Sequence, residues 1–294
     1  MANEAGAAAE EFRERRGIRK GLYLLPSAFT AANIGMGYFA VMAALRGFQL
    51  LSTGPEAESV RAATAHFDNA SRAIGWAILF DTLDGRIARM TKTTTEIGIQ
   101  LDSIADVVTF GIAPAVLVYA WGYGGALPEG SQLHKLGWFV SFMFLICGAI
   151  RLARFNVQAT RPRTLAEGSA KVDKKNFVGL PIPAAAGLLV ALIHFAPRPL
   201  SSYEGNLPSL YSGLLMGLVA VLATLMVSTI RYSSFKTLGG GRRSTMKVMP
   251  AIAAVGMLVW LFSRYVLLAM ILAYVLHGLL SRFFALFRSR PAPE

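Results

Sequence analysis

Four aspartates lie in stretches of the chain that are otherwise apolar. Asp81 and Asp84 interrupt one apolar run, and Asp102 and Asp106 lie near the start of the next. Their spacings, i,i+3 and i,i+4, place each pair on one face of a helix. An ionised side chain near the middle of a membrane helix costs about 2.5–3.5 kcal/mol, and neighbouring carboxylates repel one another. The two pairs therefore predict a site that binds a cation.

The other potential ligands in the chain indicate which kind of cation. Cys147 is the single cysteine, so a thiolate site is excluded. The four histidines have no ligand spacing and are interpreted as loop or interfacial residues: His66, His134, His194 and His277. Oxygen ligands favour Mg²⁺ or Mn²⁺, and four acids are enough for two ions. The alternative is that the acids are partly hydrated and pair with interfacial cations, namely Arg86, Arg89 and Lys92.

Small residues and a cation follow the first aspartate pair. Gly85 and Ala88 remove side-chain bulk, and Arg89 can bind a phosphate oxygen in a bidentate manner. These features indicate phosphoryl transfer, because a divalent metal and a guanidinium can bind phosphate oxygens and the small residues leave room for the substrate.

The elements that carry these residues belong in a membrane. Hydrophobic residues make up 54% of the 294 positions, charged residues only 16%, and the mean hydropathy is +0.48. Such a composition excludes a soluble globular class. It predicts an all-α fold, a polytopic membrane helix bundle of about eight transmembrane helices, the last two separated near Ser263-Arg264. The predicted spans are 22–45, 71–92, 97–121, 134–152, 179–197, 209–230, 247–263 and 265–285.

The net charge of +12 is distributed as in a membrane protein. If the N-terminus is cytosolic, 23 of the 29 Lys and Arg residues fall in cytosolic segments and 6 fall outside. This alternation predicts an integral, multi-pass membrane protein with both termini in the cytosol. It argues against nucleic acid as a partner, and we see no removable signal peptide.

The ends of the chain differ from its middle. Residues 10–20 are charged and precede the apolar residues 22–25, which suits an amphipathic juxtamembrane helix on an anionic leaflet; a disordered basic tail is the alternative. We expect a cytosolic juxtamembrane segment (1–21), one membrane domain (22–287) and a cytosolic tail (288–294).

The aspartates belong to a longer pattern. The residues Asp81-x2-Asp84-Gly85-x2-Ala88-Arg89-x8-Gly98-x3-Asp102-x3-Asp106 resemble the signature of the CDP-alcohol phosphotransferase family at all eight positions. The resemblance implies displacement of CMP from a CDP-linked lipid or alcohol and two metal ions held by the four aspartates. It also implies that Asp106 is the general base, and that Gly85, Ala88, Arg89 and Thr95 line the nucleotide and its phosphates.

A wider resemblance points to the phosphatidylserine synthase branch of that family. The segment Leu25-Pro26-x3-Thr30-x2-Asn33 is similar to a first-helix motif of this branch, which implies that Thr30 and Asn33 contact the CDP moiety. Further similar segments are 102–114, 151–156, 179–183 and 231–236. The branch implies CDP-diacylglycerol and L-serine as substrates, CMP as a product, a homodimer, and a place in the inner membrane of a prokaryote.

Several alternatives stay open. Arg151 and Arg154 are predicted either to bind the carboxylate of serine or to act as positive anchors at the cytosolic surface. For Pro181 and Pro183 a helix start or kink is favoured over chemistry. Glycerol phosphate or inositol phosphate could replace serine as the acceptor. A transporter with intramembrane acids is the alternative from another functional class.

Overall fold

The computed structural model describes residues 28–52, 56–91, 96–160, 176–233 and 245–288. Seven long helices make up most of this part. They are α1 (Ala28–Ser52), α2 (Ala57–Thr91), α3 (Glu96–Asp106 and its continuation to Tyr123), α4 (Gln132–Thr160), α5 (Ile182–Phe195), α6 (Leu207–Val227) and α7 (Thr245–Arg288). The predicted helical class is confirmed. The predicted juxtamembrane helix at 1–21 lies outside the described residues.

Within the described ranges, six helices are long and apolar enough to cross a membrane: α1, α3, α4, α5, α6 and α7. The protein is therefore an integral membrane protein. Helix α2 has 35 residues but is interrupted by charge at Arg72, Asp81, Asp84 and Arg86. The count of eight spans is not confirmed, since only these six helices among the described residues meet the length and hydropathy of a span.

Helix α7 is divided by one residue. Phe262 has non-helical backbone angles (φ −133°, ψ 42°) and separates two helical segments. The break lies next to the predicted boundary at Ser263-Arg264. The part of α7 from Ala253 to Leu280 has little buried surface, and Trp260, for example, is 84% exposed. Apolar exposure of this kind is expected of a helix that faces lipid.

Helix α3 changes its pitch directly after Asp106. Residues Val107–Ile112 and Tyr119–Tyr123 form π-helical turns on either side of the α-helical stretch Ala113–Val118. Pro114 has no N–H to donate, and its ring crowds the preceding turn, so a wider turn accommodates it. The π turn fixes how the helix that carries Asp106 continues into the buried core.

A short antiparallel ladder joins two distant segments. Strand β1 (Asn176–Val178) pairs with β2 (Arg231–Ser233), with Phe177 opposite Tyr232. Gly179 follows with φ +82°, and an added Cβ would run into the backbone of Met226. Glycine is needed there because other residues rarely adopt this backbone conformation. The fold is thus a helix bundle with one small ladder, a feature that the all-helical prediction did not include.

Two prolines begin α5, as predicted. Pro181 precedes the first helical residue, and Pro183 lies in the first turn, where a missing N–H costs nothing. Helix α5 occupies the centre of the bundle, because α2 packs on one side of it and α7 on another, while α4 packs along α6. This arrangement brings α2, α3 and α4 together around the aspartates.

Candidate active site

Three of the four predicted aspartates form one cluster. One carboxylate oxygen from each of Asp81, Asp102 and Asp106 lies within 4.8 Å of the others, and all three side chains are half-buried. Helix α2 supplies the first and α3 supplies the other two, so the two helices meet face to face at this level. We call these residues the aspartate cluster. Two neighbouring helices thus bring the two sequence pairs together.

Asp84 lies beside the aspartate cluster and has a partner from α1. It is only 6% exposed, and its Oδ2 accepts a hydrogen bond of 2.5 Å from the hydroxyl of Thr30. It also interacts electrostatically with Asp81 and Asp102. The fourth aspartate therefore belongs to the same charged region, but α1 holds its side chain.

The chemistry of the cluster fits a bound cation. Asp84 Oδ1 and Asp106 Oδ1 are buried, and neither has a hydrogen-bond partner among the described residues. A buried carboxylate oxygen without a donor is costly, and an adjacent carboxylate increases that cost. Oxygen is the only ligand type in the cluster, which suits a hard divalent ion such as Mg²⁺ or Mn²⁺. The residues present therefore fit the predicted metal.

Arg151 approaches the cluster from α4. Its side chain is partly buried and interacts electrostatically with Asp106. The Nε atom is buried and makes no hydrogen bond to the described residues. A guanidinium with a free donor next to a carboxylate cluster can bind an anionic group of a substrate.

Arg154 is placed differently from Arg151. It is exposed, and its Nη1 donates a hydrogen bond of 3.1 Å to the carbonyl oxygen of Val227 at the end of α6. This contact ties α4 to α6 and gives Arg154 a structural partner that the sequence did not indicate. The structure thus separates two arginines that the sequence grouped together.

The remaining predicted residues are described to different extents. Gly85 is exposed next to Asp84. Asn33 is only 1% exposed, and its Oδ1 has no hydrogen-bond partner in the part of the chain that the structure describes. The side chains of Ala88 and Arg89, and the whole of Thr95, lie outside the described residues.

The comparison with known proteins decides the family. A sequence model described as CDP-alcohol phosphatidyltransferase matches residues 23–226. The chain belongs to this family. Membership makes it an enzyme and disfavours the transporter alternative.

Several similar members of the CDP-alcohol phosphatidyltransferase family carry the name CDP-diacylglycerol–serine O-phosphatidyltransferase. The protein from Helicobacter pylori strain J99 is 36% identical over 73% of this chain and 74% of its own length. The protein from Methanocaldococcus jannaschii is 35% identical over 57% of this chain and 65% of its own length. A shorter match in Saccharomyces cerevisiae is 38% identical over 39% of this chain and 37% of the relative.

A contact that the sequence did not indicate holds α3, near the CDP-alcohol phosphatidyltransferase site, against α1. The hydroxyl of Thr109, in the π turn of α3, donates a hydrogen bond of 3.0 Å to the carbonyl oxygen of Asn33. A Cβ on Gly37 would lie 2.5 Å from the Thr109 hydroxyl oxygen. The close approach of α1 to α3 at this position therefore requires a glycine. The signal was present as a buried face of small residues on α1: Thr30, Asn33, Gly37, Ala40 and Ala44.

A second missed contact lies between α3 and α4. Asn156 Nδ2 donates a hydrogen bond of 2.8 Å to the hydroxyl of Ser103, which in turn donates to the carbonyl oxygen of Ile99. The two residues line a mainly apolar groove of about 320 Å³, together with Gln100, Val107 and Leu152. The groove adjoins the helix that carries Asp102 and Asp106.

His194, interpreted as a loop or interfacial residue, lies in the last turn of α5 and not in a loop. Its side chain is 7% exposed and contacts Asp68 and Ser263 in the interior of the bundle. A single histidine on an apolar helix gives no sign of partners that lie on other helices.

Proposed function

We propose that this enzyme transfers the phosphatidyl group of CDP-diacylglycerol to the hydroxyl of L-serine, with phosphatidylserine and CMP as products. The observation that carries the proposal is the position of Arg151 next to Asp106 of the aspartate cluster. A cation site suited to a pyrophosphate thereby adjoins a guanidinium suited to the carboxylate of an amino acid. Relatives named for the same reaction support this choice of acceptor.

Four residues would hold the metal. We assign Asp81, Asp84, Asp102 and Asp106 to one or two Mg²⁺ or Mn²⁺ ions, and a bound divalent ion neutralises charge on the pyrophosphate and the departing phosphate. In the alternative, interfacial cations neutralise the acids; of these cations Arg86 is exposed, and neither Asp84 Oδ1 nor Asp106 Oδ1 has a hydrogen-bond partner among the described residues.

Asp106 is assigned the role of general base. Its Oδ1 has no hydrogen bond to the described residues and can accept the proton of the serine hydroxyl. The serine oxygen then forms a bond to the lipid-side phosphorus, and the bond from that phosphorus to the bridging oxygen breaks. The bridging oxygen leaves with CMP, so charge and atoms balance.

The other predicted residues orient the two substrates. We assign Gly85, Ala88, Arg89 and Thr95 to the nucleotide and its phosphates, as the family pattern implies. Asn33 has a buried oxygen free to accept a hydrogen bond from the CDP moiety. Thr30 acts through Asp84, because its hydroxyl already donates to that carboxylate.

Residues of α4 would contact both substrates, the serine acceptor and the lipid donor. Arg151 would bind the serine carboxylate, and Arg154 would hold α4 against α6. The apolar groove between α3 and α4 can take an acyl chain of the donor.

We further propose a homodimer in the inner membrane of a prokaryote. Both termini would lie in the cytosol, with 1–21 and 288–294 flanking the membrane domain.

A comparison of acceptors tests the proposal. Purified protein is supplied with CDP-diacylglycerol, a divalent ion and one of L-serine, glycerol phosphate or inositol phosphate, and CMP and the lipid product are measured. We expect phosphatidylserine to form fastest. Faster turnover with a phosphorylated acceptor would change the assigned substrate, and no release of CMP with any acceptor would contradict a phosphatidyltransferase.

A further inference from the structure

A second polar group lies inside the bundle, away from the aspartate cluster. Asp68 Oδ1 lies 2.6 Å from His194 Nδ1, and His194 Nε2 lies 3.0 Å from the hydroxyl of Ser263. The three residues come from α2, α5 and α7. Asp68 is thirteen residues before Asp81 on α2, which corresponds to about 20 Å along the helix axis. The proposed reaction does not use this group.

The three helices stay together from this polar group towards the active site. A Cβ added to Gly187 of α5 would lie 3.4 Å from Ile78 of α2 and 3.3 Å from Ile271 of α7. Gly187 precedes His194, whereas Ile78 follows Asp68 and Ile271 follows Ser263. The segment of α7 after Phe262 therefore runs alongside α2 in the same direction, and α5 runs against both.

That segment of α7 passes the proposed acceptor site before it continues to Arg288. Tyr274, one helical turn after Ile271, is partly buried against the core and interacts electrostatically with Arg151. Arg151 in turn interacts with Asp106. One helix thus links the distant polar group to the guanidinium assigned to the serine carboxylate.

Helix α7 needs a specific attachment because it has little buried apolar surface. Val275 is a buried large side chain on its second segment, while Tyr265 and Met270 are 66% and 51% exposed. In lipid, contact between apolar side chains has no hydrophobic driving force, so close packing and hydrogen bonds between helices set their position. Ser263 is also the first residue after the break at Phe262, where the path of the segment is set.

We propose that Asp68, His194 and Ser263 form a polar lock that docks the second segment of α7 on α2 and α5 and thereby positions Tyr274 beside Arg151. Asp68 fixes the orientation of the imidazole through Nδ1, and the imidazole holds the hydroxyl of Ser263 through Nε2. All three are positioning residues for the acceptor site. The effect on serine rests on the proposed function, whereas the docking of α7 does not.

A crosslinking experiment tests the docking directly. Phe195 and Tyr265 flank the lock, and their rings lie 5.5 Å apart. Cysteines replace both residues in a Cys147→Ala background, and the yield of an intramolecular crosslink by a short bifunctional maleimide is measured in membranes. Ser263→Ala should lower the rate of crosslinking by about 3- to 20-fold, the range expected for one hydrogen bond between membrane helices. Ser263→Thr keeps a hydroxyl and should restore it.

Kinetics test the link to the acceptor site. In Ser263→Ala the KM for serine should rise by a similar factor of about 3- to 20-fold, while the KM for CDP-diacylglycerol stays constant. The matched control is Ser209→Ala, which removes an exposed hydroxyl from α6. If Ser263→Ala lowers the yield of folded protein, His194→Phe, which removes the same hydrogen bond from its other partner, provides the comparison.

The possible failures are distinguishable. Unchanged crosslinking in Ser263→Ala would overturn the lock, and reduced crosslinking with an unchanged KM for serine would overturn the positioning of the acceptor site. Covalent labelling of Ser263 by a fluorophosphonate would show a reactive serine and also overturn the lock. Normal crosslinking of the double-cysteine protein, together with no formation of phosphatidylserine by the native protein, would refute the proposed acceptor and leave the docking intact.

Discussion

Thr30 on α1 donates a hydrogen bond of 2.5 Å to Asp84 on α2, although the two residues are 54 positions apart. This bond orients a buried carboxylate whose other oxygen, Oδ1, has no partner among the described residues. Loss of a residue that orients a metal ligand typically lowers metal affinity or activity by about 10- to 100-fold. In the proposed metal site, α1 would therefore orient a ligand without supplying one itself.

Replacing Thr30 should weaken metal binding. In Thr30→Val the hydrogen bond to Asp84 is lost, and we expect the Mg²⁺ or Mn²⁺ concentration for half-maximal activity to rise by about 10- to 100-fold. Titration of each ion against CMP release measures the change. Thr30→Ser keeps the donor and should stay close to the native protein; equal losses in both variants would mean that the hydroxyl is not what matters.

Removal of the metal should stop the reaction. The aspartate cluster contains only oxygen ligands, so dialysis against a chelator is expected to abolish CMP formation, and Mg²⁺ or Mn²⁺ is expected to restore it. The measurement is CMP release before and after each ion is returned. Full turnover in chelator would contradict the assignment of the four aspartates.

Asp106→Asn should slow the chemical step more than it weakens binding of the donor. An amide cannot accept the proton of the serine hydroxyl, and loss of a general base lowers kcat by about 10²- to 10⁴-fold. Steady-state kinetics with CDP-diacylglycerol separates kcat from KM, and donor binding is measured directly by calorimetry. Near-normal kcat would remove Asp106 from the role of base.

The two arginines of α4 should behave differently. Arg151→Ala removes a cation next to Asp106, so the KM for serine should rise by about tenfold or more with little change in donor affinity. Arg154→Ala removes a contact with Val227 and should lower thermal stability or yield instead. The KM values for serine and the melting temperatures of both variants decide the matter. An unchanged KM in Arg151→Ala would exclude it from serine binding.

Gly37→Ala should destabilise the packing of α1 on α3. Its Cβ would lie 2.5 Å from the hydroxyl oxygen of Thr109 and 2.9 Å from the Cα of Thr109. Overpacking of this kind costs about 1–3 kcal/mol, so the melting temperature in detergent should fall. Gly35→Ala on the same helix meets nothing within 4 Å and is the matched control. Equal melting temperatures would show that α1 and α3 are free to separate.

Much of the aspartate cluster was predictable, because helical spacing alone brings each pair of carboxylates to one face. The same local reasoning found the start of α5 at Pro181 and the break in α7 near Ser263. The sequence did not distinguish the role of Arg151 from that of Arg154. Two residues that are three positions apart on one helix can both face a substrate, or one of them can face a neighbouring helix. The end of α6 decides between them, because Val227 accepts a hydrogen bond from Arg154.

The sequence by itself determined that the protein lies in a membrane, that its carboxylates are paired and that oxygen ligands suit a divalent ion. Each of these follows from composition or from the 3.6-residue period of a helix. Only the tertiary structure decided that Thr30 holds Asp84 and that His194 joins Asp68 to Ser263, at separations of 126 and 69 residues. The physical reason is that contacts between helices depend on how the helices pack, and a local pattern does not specify which faces meet.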